Sequence, residues 1–220
     1  MNIRQTFDLE LEELSSALIR MGAAAADAID KAMIALKNSD KKLARQVILG
    51  DNQIDEMERS IEHHCLRLLL KQQPVAGDLR RISTAIKMIT DIERIGDAAA
   101  DIAEISIQLD TPSFPEIAGD VFTMAQAACN QVSAAIDAYV TEDLELAHET
   151  REKDDIVDDY FLKIRAVLGK RMGANASLMD EAMDYLMIIK YLERIGDHAV
   201  NLCEWVEFYK TGIHKNERIL

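Results

Sequence analysis

The feature that most constrains the fold is an internal repeat of about 100 residues. Displacing the sequence by 103 positions superimposes a long series of identical residues, which chance does not readily produce. Beyond Asp158 the displacement becomes 100, and the ERIGD segment Glu93–Asp97 then coincides with Glu193–Asp197. Three residues are therefore missing from the second copy between Asp158 and Glu193. The identical pairs at the longer displacement are Met21 and Met124, Ala25 and Ala128, Ala32 and Ala135, Asp40 and Asp143, Leu43 and Leu146, Ala44 and Ala147, Asp51 and Asp154, and Asp55 and Asp158.

Each copy is predicted to form three helices. The chain has only three prolines and nine glycines, and it is rich in residues that favour helices. Apolar residues recur at steps of three and four from Leu11 to Ala35, and again from Phe114 to Ala135, which indicates helix faces that are buried in a core. The segments that should separate the helices are Asn38–Asp40 and Gln73–Asp78 in copy one, and Thr141–Asp143 and Gly173–Ser177 in copy two.

These signals predict an all-α protein of six long helices, arranged as two tandem three-helix bundles. The segment 110–115 contains Pro112 and Pro115, the only closely spaced prolines, and we interpret it as the linker between the copies. The expected domains are residues 1–110 and 111–212, followed by a tail of residues 213–220.

Acidic residues gather at one height of each bundle. On the predicted third helix of copy one, acidic side chains fall within about 80° of one another at 100° per residue. The pair Asp51 and Asp55 lies as far before Pro74 as the pair Glu93 and Asp97 lies after it. In an antiparallel hairpin, equal distance from the turn means equal height, and copy two repeats the arrangement around Gly173–Ser177.

Carboxylates crowded together require protons, solvent or a cation. Oxygen ligands suit magnesium, calcium, manganese or ferric iron, so each acidic cluster is a candidate metal site. The other explanation is that the acidic stripes are solvated helix faces of an acidic protein. Gly96 and Gly196 are consistent with a close approach of two helices, because glycine inside a helix costs about 1 kcal/mol relative to alanine.

Composition and charge exclude several classes of protein. The net charge of −14 would repel nucleic acid. Three widely spaced cysteines fit neither a disulfide framework nor a zinc knuckle, and they favour a reducing compartment. The charged segment Met1–Leu14 does not resemble a signal peptide, and the longest uncharged stretch, Val121–Ile136, is too short and too polar to span a bilayer. We expect a cytoplasmic protein without direct membrane insertion.

The duplicated ERIGD motif, together with the segment Lys71–Arg80 (KQQPVAGDLR), strongly resembles the PhoU family of bacterial regulators of phosphate-specific transport. The resemblance covers nearly the whole chain. It implies a multinuclear metal cluster in each copy, iron or zinc first, with manganese or magnesium as further possibilities. Asn201 departs from the motif by removing one negative charge, and because ligand charge count governs the affinity for a hard cation, we expect a weaker second site unless His198 or bound anions compensate. The metal-site residues carried over by position are Asp51, Asp55, Glu93, Asp97 and Asp101 in copy one, and Asp154, Asp158, Glu193, Asp197 and Asn201 in copy two.

The same resemblance implies regulation rather than catalysis. PhoU-like proteins restrain phosphate uptake and repress the phosphate-starvation response when phosphate is plentiful. The expected partners are the ATPase subunit of the phosphate ABC transporter, a phosphate-sensing histidine kinase and a second copy of the chain in a homodimer.

An enzyme remains the alternative, specifically a metal-dependent phosphohydrolase that uses the carboxylates. The sequence contains no P-loop and no Gly-x-Gly-x-x-Gly motif. A duplicated ferritin-like diiron site needs two Glu-x-x-His motifs, whereas the chain has one, Glu145 to His148. His198 stands where copy one has Ala98, so any ligand role for this histidine would belong to copy two alone.

Overall fold

The computed structural model describes residues 3–71, 74–109, 114–215 and 217–218, and it confirms the all-α class. Seven α-helices are present in these residues, because the second helix of copy two is divided. A single 3₁₀ turn, Ala176–Leu178, precedes the last helix, and Ile213–His214 pairs antiparallel with Glu217–Arg218 as a two-residue ribbon in the tail. The helices are α1 (Ile3–Asn38), α2 (Lys41–Lys71), α3 (Ala76–Gln108), α4 (Pro115–Thr141), α5 (Leu144–Glu152), α6 (Asp154–Ala174) and α7 (Met179–Thr211).

Two segments singled out in the sequence lie partly outside the described residues. Residues 110–113 of the predicted linker lie outside the described residues, as does Gln73 of the separating segment Gln73–Asp78. The division of the chain at 110 and 111 therefore stays a prediction.

The predicted helix starts at Asp40 and Asp143 are confirmed. Asp40 Oδ1 accepts hydrogen bonds from the backbone N–H groups of Lys42 and Leu43, both at 3.0 Å. Asp143 Oδ1 accepts from Glu145 and Leu146 at 2.9 and 3.1 Å. Each aspartate thereby satisfies N–H groups that have no partner within their own helix.

The break between α5 and α6 was not predicted. At Lys153 the backbone has φ −76° and ψ −5°, which opens the helix, whereas the matching Gly50 lies within the continuous α2. The new helix begins at Asp154 and carries two acidic residues, Asp154 and Asp155, in its first turn. Carboxylates there are stabilised by the positive end of the helix dipole, which favours a helix start at this point.

The apolar stripes of α1 and α4 are buried, as predicted. Leu14, Leu18 and Met21 of α1, and Val121 and Met124 of α4, are at most 1% exposed. Each such side chain contributes about 1.5–3 kcal/mol through burial. Helix α1 packs on α2 and α3, and α4 packs correspondingly on α5, α6 and α7.

The two copies are joined by contacts of α3 with α7 and of α1 with α4. At the α1–α4 contact, a Cβ atom on Gly22 would lie 2.8 Å from the side chain of Ile136, so glycine permits this close approach. Across the α3–α7 contact, Asn201 Nδ2 donates to Asp91 Oδ1 at 3.2 Å. At the same interface, burial raises the pKa of Tyr191, and the nearby carboxylate of Asp101 adds to the effect.

Candidate metal centre

The copy-one centre consists of Asp51 and Asp55 from α2 and Asp97 from α3. Within the described parts of the chain, these three form the one group of potential ligands whose donor atoms all lie within 4.8 Å of one another. Asp51 and Asp55 are one helical turn apart, so both face α3. The equal height expected from the hairpin turn is thus accompanied by a matching orientation around the helix axes.

Gly96 allows α2 and α3 to approach at this centre. A Cβ atom at this position would lie 2.9 Å from Ile54 Cδ1 and 3.2 Å from Asp51 Oδ1. At Gly196 of copy two, it would lie 2.9 Å from Asp154 Oδ1. The glycine of each ERIGD motif therefore makes room for the first aspartate of the facing helix, in agreement with the close approach considered from the sequence.

Asp51 is the most strongly perturbed carboxyl group of the copy-one centre. Its Oδ1 atom is buried and has no hydrogen-bond partner among the described residues. Burial raises the pKa of Asp51 to about 6, and the nearby charges of Asp97, Asp55 and Asp101 add to the effect. A bound cation would replace the missing partner of Asp51 Oδ1 and neutralise this repulsion.

Glu93 lies at the edge of the same cluster. Burial raises the pKa of this carboxyl group, Asp97 and Asp55 raise it further, and Arg94 opposes them. The Arg94 side chain is half exposed and lies 3.3 Å from Asp97 Oδ2 and 3.4 Å from Glu93 Oε2. Arg94 thus supports the acids from the solvent side, where ion pairs are weak.

Copy two brings together the matching acids. Burial is the main cause of a raised pKa at each of Asp154, Asp158 and Asp197, and the charge of Glu193 adds to it at all three positions. Lys190, which lies one turn earlier on α7, forms an ion pair with Glu193. The candidate residues of copy two, apart from Asn201, therefore form one electrostatic cluster.

Two predicted ligands also face the opposite copy. The amide of Asn201 is bonded to Asp91, and His198 Nδ1 lies 2.9 Å from the same Asp91 oxygen. Asp101 interacts with both Asp51 and Tyr191. The motif does not reveal these contacts, because Asp91 and Tyr191 lie outside it.

Gln131 is a residue of the second centre that the sequence analysis did not identify. It lies on α4, is 3% exposed, and its Nε2 donates to Asp154 Oδ1 at 3.2 Å. At the displacement of 103, Gln131 matches Ala28, which has no polar group to offer Asp51. Alignment of the two copies therefore shows the difference, because a polar glutamine in copy two corresponds to an alanine in copy one.

The donor set suits a metal ion that accepts carboxylate oxygens. Such ions include magnesium, manganese, calcium and iron, and zinc also binds Asp and Glu. The three cysteines are buried, and burial raises the pKa of Cys65 to about 12, of Cys129 to about 11 and of Cys203 to about 12. These thiols remain protonated at neutral pH, which makes them poor ligands. The convergent carboxylates and the partnerless Asp51 oxygen thus fit a metal ion, which Asp51, Asp55 and Asp97 would hold and which would neutralise their crowded negative charge.

Comparison with known proteins gives the family. A family model described as "PhoU domain" matches residues 18–106 and 121–206, one match to each copy. The chain belongs to the PhoU family. The resemblance seen in the motifs is confirmed, and both matches contain the acidic centre of their copy.

Relatives in this family match over nearly their full length. A phosphate-specific transport system accessory protein PhoU homolog of Clostridium acetobutylicum is 38% identical over 210 residues, covering 95% of this chain and 96% of the relative. PhoU homolog 1 of Thermotoga maritima is 33% identical over 212 residues, covering 96% and 91%.

Solved PhoU structures share the fold. The crystal structure of PhoU from Pseudomonas aeruginosa has a TM-score of 0.90 at 34% identity, covering 94% of this chain and 100% of that one. The phosphate transport system regulatory protein PhoU from Streptococcus pneumoniae has a TM-score of 0.84 at 29% identity, covering 94% and 98%. Among the described residues of this PhoU-family protein, no helix has the length and apolar character needed to cross a bilayer.

Proposed function

We propose that this PhoU-family protein is a negative regulator of phosphate uptake and of the phosphate-starvation response. It acts as a metal-binding cytoplasmic adaptor between the ATPase subunit of the phosphate ABC transporter and a phosphate-sensing histidine kinase, and it works as a homodimer rather than as an enzyme. The observation that carries the proposal is the pair of family matches, one to each copy, each including an acidic centre. Relatives named as transport accessory proteins support the transporter as a partner.

The metal is assigned to the two acidic centres, with iron or zinc first and manganese or magnesium next. The support is the convergence of Asp51, Asp55 and Asp97 within 4.8 Å and the partnerless Oδ1 of Asp51. A cation held by these carboxylates from α2 and α3 would relieve the repulsion between them. The centre thereby stabilises one arrangement of these helices, which a partner protein could then recognise.

The regulatory assignment is tested by deleting the gene and measuring phosphate-responsive genes in phosphate-rich medium. Expression should rise in the deletion strain, and the full-length chain should restore repression. Affinity purification from the same cells should recover a transporter or kinase component. Unchanged expression together with the absence of both components would refute the assignment.

The metal assignment is tested on chelator-stripped protein by calorimetric titration with iron, zinc, manganese and magnesium. The double variant Asp97→Ala, Asp197→Ala should lose binding, while Asp27→Ala, an exposed aspartate paired with Lys31, should retain it. If the double variant binds as the parent does, the acidic stripes are solvated faces. Metal-dependent turnover of a generic phosphoester, lost in the same double variant, would instead support the phosphohydrolase.

A further inference from the structure

The two acidic centres differ most at their buried ends, where copy two has an amide that copy one lacks. We propose that Gln131 takes the place of a cation beside Asp154, so that copy one binds metal first and copy two binds it only when this amide is displaced. The inference rests on the proposed metal-binding function and adds to it an order of occupancy set by one residue.

Gln131 is placed to act in this way. It is 3% exposed, projects from α4, and donates through Nε2 to Asp154 Oδ1 at 3.2 Å. The equivalent atom of copy one, Asp51 Oδ1, is buried with no hydrogen-bond partner among the described residues. A carboxylate oxygen that already accepts a hydrogen bond gains less from a metal ion than one that accepts none.

The nearby cations do not account for the difference. Copy one has Arg94 beside Glu93 and Asp97, and it also has Arg59 at 3.2 Å from Asp55 Oδ2. Copy two has Lys190 on Glu193. Copy one therefore has two such exposed or partly exposed cations and copy two has one, and the additional positive charge in copy one opposes metal binding there. Two differences remain that could favour copy one: the neutral Asn201 in place of Asp101, and the buried amide of Gln131. Of these two, the amide of Gln131 is the one that donates a hydrogen bond to Asp154.

Gln131 itself is only half satisfied. Its Oε1 atom is buried and has no hydrogen-bond partner in the described residues. A Cβ atom on Gly196 would lie 3.3 Å from this Oε1, so the amide is close to α7, the helix that contains the second ERIGD motif. A metal ion entering beside Asp154 must displace the Gln131 amide, and this displacement breaks the hydrogen bond between α4 and α6. Occupancy of copy two thereby changes a contact that occupancy of copy one leaves intact.

Copy one has room for the reciprocal change. Ala28 lines a groove of about 230 Å³ between α1 and α2, together with Val47, Gly50 and Ile54. The groove leaves space beside α2 for a longer side chain at position 28. The chain thus allows a reciprocal exchange, Gln131→Ala in one copy and Ala28→Gln in the other.

The experiment measures each centre separately with Mn²⁺ and Zn²⁺, by calorimetric titration of chelator-stripped full-length protein. Copy two is isolated by Asp97→Ala and copy one by Asp197→Ala. Gln131→Ala should increase the affinity of copy two about tenfold, and Ala28→Gln should decrease that of copy one by a similar factor. Gln126→Ala, on the exposed face of the same helix α4, is the matched control and should change neither.

The possible failures are distinguishable. If the exchange changes the affinity of neither centre, the role of Gln131 is refuted while the metal-binding function stands. If Gln131→Ala weakens binding at copy two, Gln131 is a ligand through Oε1, which also refutes the proposal. If the parent binds no metal at either centre, the metal-binding function fails and this inference fails with it. Circular dichroism of each variant distinguishes lost binding from lost folding.

Discussion

The side-chain amide of Asn201 donates a hydrogen bond to Asp91 Oδ1 at 3.2 Å, across the interface between α7 and α3. His198 approaches the same oxygen at 2.9 Å, so one carboxylate of copy one meets two side chains of the copy-two motif helix. Both Asp91 and His198 are largely buried, with side-chain exposures of 14% and 19%. The asparagine that interrupts the acidic motif is therefore a donor to the other copy.

This contact predicts the effect of Asn201→Asp. From the motif alone, an added carboxylate should strengthen the second metal site. In the structure it would face Asp91, and the lost hydrogen bond and new repulsion should destabilise the metal-free protein by about 1–2 kcal/mol. Urea unfolding at pH 7 measures the change. Adding Asp91→Asn to this variant restores one donor and one acceptor at the interface and should recover most of the lost stability. If the double variant is no more stable than Asn201→Asp alone, the contact between positions 91 and 201 is contradicted.

A second prediction concerns glycine at the centres. Gly196→Ala would place Cβ 2.9 Å from Asp154 Oδ1 and should destabilise the fold, despite the higher helix propensity of alanine. The matched control is Gly169→Ala in α6, where a Cβ meets nothing within 4 Å and stability should rise by about 0.5–1 kcal/mol. Thermal unfolding should move in opposite directions for the two variants. If Gly196→Ala stabilised the protein as much as Gly169→Ala does, α6 and α7 would not be in close contact at Gly196.

A third prediction follows from Asp51. Its pKa of about 6 in the folded protein exceeds the ordinary value of 3.8, so the folded state binds more protons in the window between them. The free energy of unfolding of the metal-free protein should therefore fall as pH rises through this window, and level off above it. Asp51→Asn should remove this contribution and stabilise the protein at pH 7 by roughly 1 kcal/mol, once solvent screening is allowed for.

Urea unfolding in the presence of a chelator, at pH 4.5 and at pH 7, measures the Asp51 contribution as the difference between parent and variant. Glu93, Asp154, Asp158 and Asp197 also have raised pKa values, and their contributions cancel in that difference. A parent and an Asp51→Asn variant with the same pH dependence would contradict the perturbation of Asp51.

A fourth prediction concerns the caps Asp40 and Asp143. Replacing either by alanine removes two hydrogen bonds to backbone N–H groups and should cost about 1 kcal/mol, while serine should retain most of the stability. The local effect should be larger at Asp143, because α5 has 9 residues and α2 has 31. Amide hydrogen exchange should show increased opening of α5 in Asp143→Ala. If exchange in α5 is no faster than in Asp143→Ser, the cap contributes little.

The helices and the height of the acidic clusters could be predicted from the sequence because both depend on spacing along the chain. Spacing does not give the orientation of α2 relative to α3, which depends on the contact of Gly96 with Ile54 and Asp51. Gln131 was missed because it carries no charge and therefore does not extend the acidic pattern, although its mismatch with Ala28 is visible when the copies are aligned. The break at Lys153 was missed because the charged residues around it are compatible with a continuous helix.

In the repeat, position 91 corresponds to 191 and position 101 to 201. The contact between Asp91 and Asn201 therefore joins the same two repeat positions as the contact between Tyr191 and Asp101, with the two copies exchanged. Reciprocal pairing of this kind is the geometry of an isologous interface, in which identical subunits face each other across a two-fold axis. In a homodimer of a single-copy chain, one substitution would alter both ends of the interface at once. Covalent fusion of the copies removes that constraint, so one end has an amide against Asp91 while the other has a phenol against Asp101. The duplicated chain can thus evolve unequal halves within a symmetric architecture.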